Sequence, residues 1–240
     1  MKIDYSSKAT IEEIRTRFDH DVERFSDLEG AQQTVIDAQY CLEIITDAAQ
    51  YVTPKAKTLL DIGCGAGNYS LKMLQKIPEL DCTLIDLSLP MLVKAQERVG
   101  KETNGRIQIF QSDIREIALP QEEYCIALAG AVLHHLREDS EWELVFANIY
   151  RSLKPGGSFW ICDLVGHDLP AIQQLMNNVY GDFLKDLGGD GFKEKVLAYI
   201  EKEDTPRSVK YQMDLLESVG FRHVELLHKN ACFAAFGGIK

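Results

Sequence analysis

The stretch Lys57 to Ser70, KTLLDIGCGAGNYS, constrains the fold of this chain more than any other. A short apolar run, Thr58 to Ile62, ends on three glycines at alternate positions, Gly63, Gly65 and Gly67. A helical pattern begins at about Asn68. Such a run reads as a buried parallel strand that stops beneath a small molecule. Glycine lets the backbone turn tightly and approach a ligand where a Cβ would clash. The free amides of the following helix then face any negative group placed there. A tight strand-to-helix turn without a ligand uses the same residues, so the rest of the chain has to decide.

From Lys57 onward, strand and helix patterns alternate. Strands are expected at Thr58–Ile62, Cys82–Asp86, Ile107–Gln111, Tyr124–Ala129 and Ser158–Cys162, with helices at Asn68–Ile77, Ser88–Val99 and Ser140–Leu153. Ser88 precedes Pro90 in a first turn, and Gly100 closes that helix. Ser140 with Glu143 fits a capping box. Five strands separated by helices imply a parallel sheet covered on both faces. Two further strands, Val224–His228 and Ala231–Phe236, are separated only by Lys229-Asn230, and so short a link joins only antiparallel neighbours. The fold class expected is therefore α/β, with a Rossmann-like, mostly parallel seven-stranded sheet that ends antiparallel.

Helical additions surround this core. Ile11, Ile14, Phe18, Val22 and Phe25 recur every three or four positions, and a second helical pattern spans roughly Ala31 to Gln50. Residues 1–52 read as an N-terminal helical cap on a core of residues 53–240. Residues 164–204 hold two helical stretches broken by GGDG at 188–191, an insertion suited to a lid. Thr205-Pro206 opens another helix, with Val209, Met213, Leu216 and Val219 inward and Gly220 at its end.

The totals narrow the function classes. The net charge is −11, from 26 basic and 37 acidic residues, with no dense Lys/Arg block. That balance weighs against a nucleic-acid surface. The six cysteines stand singly, without metal-ligand spacing, and read as buried thiols. No run is long enough to span a membrane. The charged opening MKIDYSSKATIEEIRTRFDHD lacks the apolar segment of a signal peptide, which points to the cytoplasm.

The glycine loop departs from the dinucleotide fingerprint GxGxxG, because its third glycine comes one place early. There is no GK[ST], which excludes a triphosphate loop. Asp86 ends the second strand about twenty residues past the glycines, where a carboxylate can accept both hydroxyls of a ribose. Asp113 ends the third strand in QSDI, where it can accept from an adenine amino group between Ile114 and Met91. Each acid alone also suits a helix N-cap. Both at successive strand ends beside the glycine loop favour a nucleoside.

With these residues in place, the chain resembles the class I S-adenosylmethionine-dependent methyltransferases. LLDIGCGAGNYS resembles their first motif, LIDLS their second, QSDI their third and LKPGG the turn before their fifth strand. The closing hairpin is similar to the family's antiparallel seventh strand. The resemblance implies S-adenosyl-L-methionine as cofactor. It places Gly63, Cys64 and Gly65 against the methionine moiety, with Asp61 orienting its ammonium. Asp86 and Leu87 would hold the ribose, Asp113, Ile114 and Met91 the adenine, and Gly130 would offer backbone to the methionine end. Tyr40 falls where relatives set an aromatic ring over that end.

The acceptor side is less defined, since methyl transfer from a sulfonium needs alignment and exclusion of water more than a catalytic group. His134 and His135 in AGAVLHHL, and His167 beside Asp168, are the candidates for a base, with packing and turn-capping as the alternative. No third metal ligand stands near the histidine pair in sequence, so no metal is expected. A small-molecule acceptor and a monomer or homodimer are expected.

The N-terminal helices, Tyr40 and the ending GFRHVELLHKNACFAAFGG also look similar to carboxy-S-adenosylmethionine synthases, which serve tRNA wobble-uridine modification. Those enzymes pair an arginine of the helical insert with the added carboxylate. Lys195 to Leu197 fall at that place here, without an arginine. They also carry serine where this loop has its second glycine. Both departures make the synthase the second reading. A catalytically silent cofactor-binding partner subunit is the third, and the intact glycines and ribose acid speak against it.

Overall fold

The computed structural model describes residues 5–27 and 33–240. Seven strands form one sheet: β1 Thr58–Ile62, β2 Asp81–Asp86, β3 Ile107–Gln111, β4 Tyr124–Gly130, β5 Leu153–Leu164, β6 Arg222–Asn230 and β7 Phe233–Ile239. Their order is β3-β2-β1-β4-β5-β7-β6. The first five are parallel, and β7 runs antiparallel to both β5 and β6. The order reverses between β1 and β4, so the loops after these two strands open a crevice at their carboxyl ends.

The helices are α1 Ile11–His20, α2 Val22–Ser26, α3 Ala38–Val52, α4 Asn68–Lys76, α5 Leu89–Val99, α6 Asp139–Ser152, α7 Pro170–Glu203 and α8 Val209–Val219. One face of the sheet packs on α6 and α8 through Trp142, Phe146, Phe159 and Phe236, all fully buried. The other packs on α3, α4 and α5 through Ile45, Met73, Leu59 and Leu84. Both faces of β1 are therefore covered, which is why Leu59 to Ile62 are buried without alternation, Asp61 included. A third cluster joins α7 to the β6–β7 turn through Tyr180, Leu184 and Phe233.

Several local expectations need correction. The stripe in residues 11–25 breaks at Asp21 into α1 and α2. Only Ile14 of that stripe is buried. The second helix begins at Ala38, and residues 31 and 32 lie outside the described residues. The cap of α6 is Glu138 rather than Ser140, with Glu141 reaching back to the Glu138 amide at 3.4 Å. One expectation in this region holds: the segment 188–191 breaks the insertion into two helical stretches at Gly189 (φ +80, ψ −178), and α7 names both stretches across that break. Thr205-Pro206 stays extended, and α8 starts only after Ser208, whose hydroxyl accepts from the Tyr211 amide. The final turn is Ala231-Cys232, because β6 runs on through Lys229-Asn230.

Candidate active site

The glycine loop leaves β1 with Gly63 at φ +62, Gly65 at φ +51 and Gly67 at φ +86, all in the left-handed region. The three serve different ends. A Cβ on Gly63 would lie 2.5 Å from the Val132 side chain, so this glycine lets the β1 and β4 loops meet. A Cβ on Gly65 would have nothing within 4 Å, so the space beside it is open. A left-handed glycine facing open space is a backbone surface on which a ligand can lie. Gly130 at the end of β4 holds the ring of Tyr69, which a Cβ would strike at 2.1 Å.

Beneath this loop lies Asp61, buried one residue before the end of β1. Its Oδ2 accepts from the Ser70 amide (3.1 Å) and hydroxyl (2.6 Å) at the start of α4. Burial nevertheless lifts its pKa to about 7. Asp86, at the end of β2, accepts from the Gly65 amide at 2.8 Å and the Ser88 amide at 2.9 Å. It opens on the crevice, yet the protein around it removes enough water to raise its pKa to about 6. Asp19 of α1 adds to that rise by like-charge repulsion.

A cleft of about 790 Å³ covers the loop, and Gly63, Cys64, Gly65, Asp86, Leu87 and Met91 all line it. Gly130 lines its far side. A contiguous hollow of about 420 Å³ runs past Asp86 and Leu87 to Asp113 and Ile114. Asp113 is already engaged there, since its Oδ1 accepts from the Arg115 amide (2.9 Å) and Nε (2.8 Å). Burial raises the carboxyl, but these bonds from Arg115 outweigh it and bring the pKa below its usual value. The structure thus gathers ten of the eleven cofactor-side residues at or directly beneath one crevice. Tyr40 is the exception. It stands 52% exposed on α3 with its ring edge-on to His228, outside the cleft.

The three histidines part company. His134 is buried, with Nδ1 paired to Asp163 of β5 and Nε2 3.7 Å from Asp204. Burial opposes a charge on it, yet Asp163 and then Asp204 outweigh that and lift its pKa to about 9. His135 lines the cofactor cleft, and neither ring nitrogen has a hydrogen-bond partner. Burial first, and then the charges of His134 and Arg17, keep it neutral, well below the ordinary histidine pKa. His167 lies elsewhere, with its Nε2 3.1 Å from Lys229 Nζ.

The N-terminal helices, expected as a cap on the core, supply the other wall of this space: Phe18 of α1, Phe25 of α2 and Val35 line the cleft, and the apolar stripe alone did not single them out. The same three residues, with Ala131 and His135, also line a second cavity of about 640 Å³ that reaches Tyr180, Tyr199 and Asp204 of the α7 region. Asp204 is set beside the histidines because the Thr205 amide donates to the His134 carbonyl at 2.7 Å. Nothing in its spacing from LHH could have shown this.

Comparison with known proteins settles the family. A family model described as a methyltransferase domain matches residues 59–157. A carboxy-S-adenosyl-L-methionine synthase from Helicobacter pylori (strain G27) is 30% identical over 182 residues, 72% of either chain. The chain belongs to the S-adenosylmethionine-dependent methyltransferase family. It is an enzyme of that class, with S-adenosylmethionine as its cofactor. The fold agrees. An O-methyltransferase family protein from Burkholderia thailandensis superposes with a TM-score of 0.66 at 17% identity, covering 98% of this chain and 65% of its own. Human N-acetylserotonin methyltransferase, solved in complex with SAM, gives 0.61 at 18%, covering 98% of this chain and 63% of its own. The methyltransferase chain thus spans about two-thirds of those longer proteins.

The crevice fits this cofactor on its own terms. It offers open backbone at Gly65 and carboxylates at Asp61 and Asp86. Acids rather than arginines suit a ligand with an ammonium and a sulfonium. No helix among the described residues is long and apolar enough to cross a membrane.

Proposed function

We propose that this methyltransferase acts on a small, largely apolar acceptor held in the second cavity. The observation that carries this reading is the shared wall. The glycine-loop cleft and the second cavity have Phe18, Phe25, Val35, Ala131 and His135 in common. The two cavities therefore adjoin, with these side chains at their boundary.

When bound, the cofactor supplies an electrophilic methyl group on sulfur. The chain's residues hold and align. Asp86 accepts the ribose hydroxyls, and Gly65 presents bare backbone to the amino-acid end. Asp61 sets the charge beneath the ammonium, and Asp113 with Ile114 and Met91 bounds the adenine. Phe18 and Phe25 exclude water from the junction, which strengthens alignment over hydrolysis. The α1–α2 segment and α7 form the cover of the acceptor cavity. Arg17 of α1 ties the two together through a two-pronged ion pair with Glu203 at 2.8 and 3.0 Å. His135, kept neutral, is a polar side chain that lines both cavities.

Calorimetry with S-adenosylhomocysteine tests the cofactor half. Binding to the wild type and its loss in Asp86→Ala are expected, and full binding by that variant would remove the assignment. A metabolite screen detecting S-adenosylhomocysteine production identifies the acceptor.

A second reading, carboxy-S-adenosylmethionine synthesis, has its own support in the relatives and in Arg24, a cation from α2 on the wall of the second cavity. In that reading Arg24, paired with Asp21 at 2.8 Å, would exchange that partner for the added carboxylate, in place of the arginine that the α7 insert lacks. Mass spectrometry of the co-purifying small molecule separates the two readings. Carboxylated cofactor favours the synthase, and unmodified or demethylated cofactor favours methyl transfer.

A further inference from the structure

We infer that His134, His135 and Asp204 form a binding site for one divalent first-row transition-metal ion at the junction of the two cavities. This placement of the ion rests on the acceptor-site reading above. The metal site itself rests only on the three side chains.

One ligand atom from each residue lies within 4.8 Å of the others. Asp204 Oδ1 is 3.3 Å from His135 Nδ1 and 3.7 Å from His134 Nε2. An ion bonded at about 2.0–2.2 Å to each atom sets ligand atoms roughly this far apart. Two imidazoles and one carboxylate are the donor set used by zinc and by non-haem iron, with the remaining positions open.

Three observations separate this cluster from an ordinary buried ion pair. Asp204 Oδ1 and both ring nitrogens of His135 are buried and have no hydrogen-bond partner. Leaving such atoms unpaired costs about 1–3 kcal/mol each, so a missing partner is the simpler account. Asp163 then holds Nδ1 of His134, which turns Nε2 toward the other two donors. A carboxylate behind a histidine, fixing its tautomer and aim, is the usual outer support of a metal-bound imidazole. Finally, the cluster is not sealed off: all three residues line the acceptor cavity, and His135 also lines the cofactor cleft. The open coordination positions face the space where the acceptor's reacting atom must lie.

The substrate class follows from that placement. An acceptor bearing a hydroxyl or enol oxygen can bind the ion through that oxygen. The oxygen then loses its proton to solvent, since the ion favours the anion. Its electron pair forms the new C–O bond as the C–S bond breaks, and that bond's electrons stay on sulfur, leaving a neutral thioether. His135 acts here as a ligand, and no protein group has to take the proton.

The experiment uses the full chain, stripped with chelator and titrated with Co2+ followed by absorption, and with Zn2+ in competition. One Co2+ per chain is expected, displaced by Zn2+. Asp204→Asn and His134→Gln should weaken Co2+ binding at least about a hundredfold, and Asp163→Asn about 10–100-fold. S-adenosylhomocysteine affinity within about threefold of wild type shows that each variant is folded. Absence of Co2+ binding in the wild type, or binding unchanged in both Asp204→Asn and His134→Gln, overturns the inference. Wild type that binds S-adenosylhomocysteine but not Co2+ sinks the metal site alone. Wild type that binds Co2+ but not S-adenosylhomocysteine sinks the functional reading and leaves the metal site standing.

Discussion

Cofactor affinity should depend on pH through Asp86, and the dependence can be worked from the structure. In its proposed role Asp86 must be ionised to accept two ribose hydroxyls while holding the Gly65 and Ser88 amides. Its pKa in the folded protein is raised to about 6, because burial outweighs those two amide bonds. Only about one molecule in eleven is then ionised at about pH 5, against nearly all at about pH 7.5. The dissociation constant for S-adenosylhomocysteine should therefore be about tenfold weaker at the lower pH on account of this residue. Asp61, with its pKa near 7, steepens the wild-type slope in the same direction. Asp86→Asn isolates the contribution. Losing the charge costs roughly 1.5–3 kcal/mol of hydrogen bonding at about pH 7.5, or about 10–100-fold in affinity. The penalty should shrink about tenfold by about pH 5, where wild-type Asp86 is itself mostly protonated. Calorimetry over this range reads the ratio of the two constants. A ratio that stays constant with pH would refute the role of Asp86 as an ionised acceptor.

The glycine loop predicts a contrast. Gly63→Ala should lower stability by more than about 2 kcal/mol, since its Cβ would overlap Val132 at a left-handed backbone position. Gly65→Ala should cost only about 1 kcal/mol in denaturant unfolding but abolish S-adenosylhomocysteine binding, because its Cβ fills only the ligand space. Asp61 predicts a pH effect on folding itself. The folded state keeps its proton up to about pH 7 while the unfolded chain releases it near 3.8, so stability falls as pH rises through that window. Asp61→Asn should flatten that fall in urea titrations, and an unchanged pH profile would count against the buried-acid argument. Arg17→Ala should destabilise by about 1–3 kcal/mol, because it leaves the Glu203 carboxylate buried without its partner. Hydrogen exchange should then speed up along α1, which loses one of its links to α7 with that pair.

The sheet was legible because its signals are local and redundant. β1 and β3 match the expected bounds: β1 is a buried run that stops at Gly63, and β3, a half-exposed edge strand, lies between Gly105 and Asp113. The acids at the ends of β2 and β3 were legible for the same reason. A strand carries its last residue to the sheet edge, whatever the rest of the chain does. Tyr40 shows the limit. A helix ahead of the core fixes which face of the residue is apolar, but not which way the helix lies across the sheet, and here the ring points to β6. Phe18 and Phe25 fail in the opposite direction. Their spacing marks them as apolar, and spacing alone cannot tell a core from a ligand cavity. Asp204 was beyond reach because its position depends on where α7 ends, through the Thr205 amide and the His134 carbonyl.

The electrostatics of the crevice explain why acids occupy the places where a nucleotide-phosphate site would carry cations. Asp61 and Asp86 are held in surroundings that resist their charge, and Asp19 makes ionisation of Asp86 harder still. Without a ligand these carboxyls keep part of their protons near neutral pH. A cation beside them reverses the balance, because an opposite charge within a few ångströms favours the ionised form. The acids therefore respond to ligand charge as well as shape, and they hold most strongly the ligand with most positive charge. S-adenosylmethionine brings an ammonium and a sulfonium, whereas its demethylated product keeps only the ammonium. Methyl transfer thus removes one of the two charges the site is built to neutralise. In the proposed placement Asp61 stays beneath the charge that remains, so the loss falls on the part of the ligand that would face Phe18, Phe25 and the acceptor. An apolar wall there grips a neutral thioether without opposing its departure, which makes the same arrangement suited both to holding the cofactor and to releasing what is left of it.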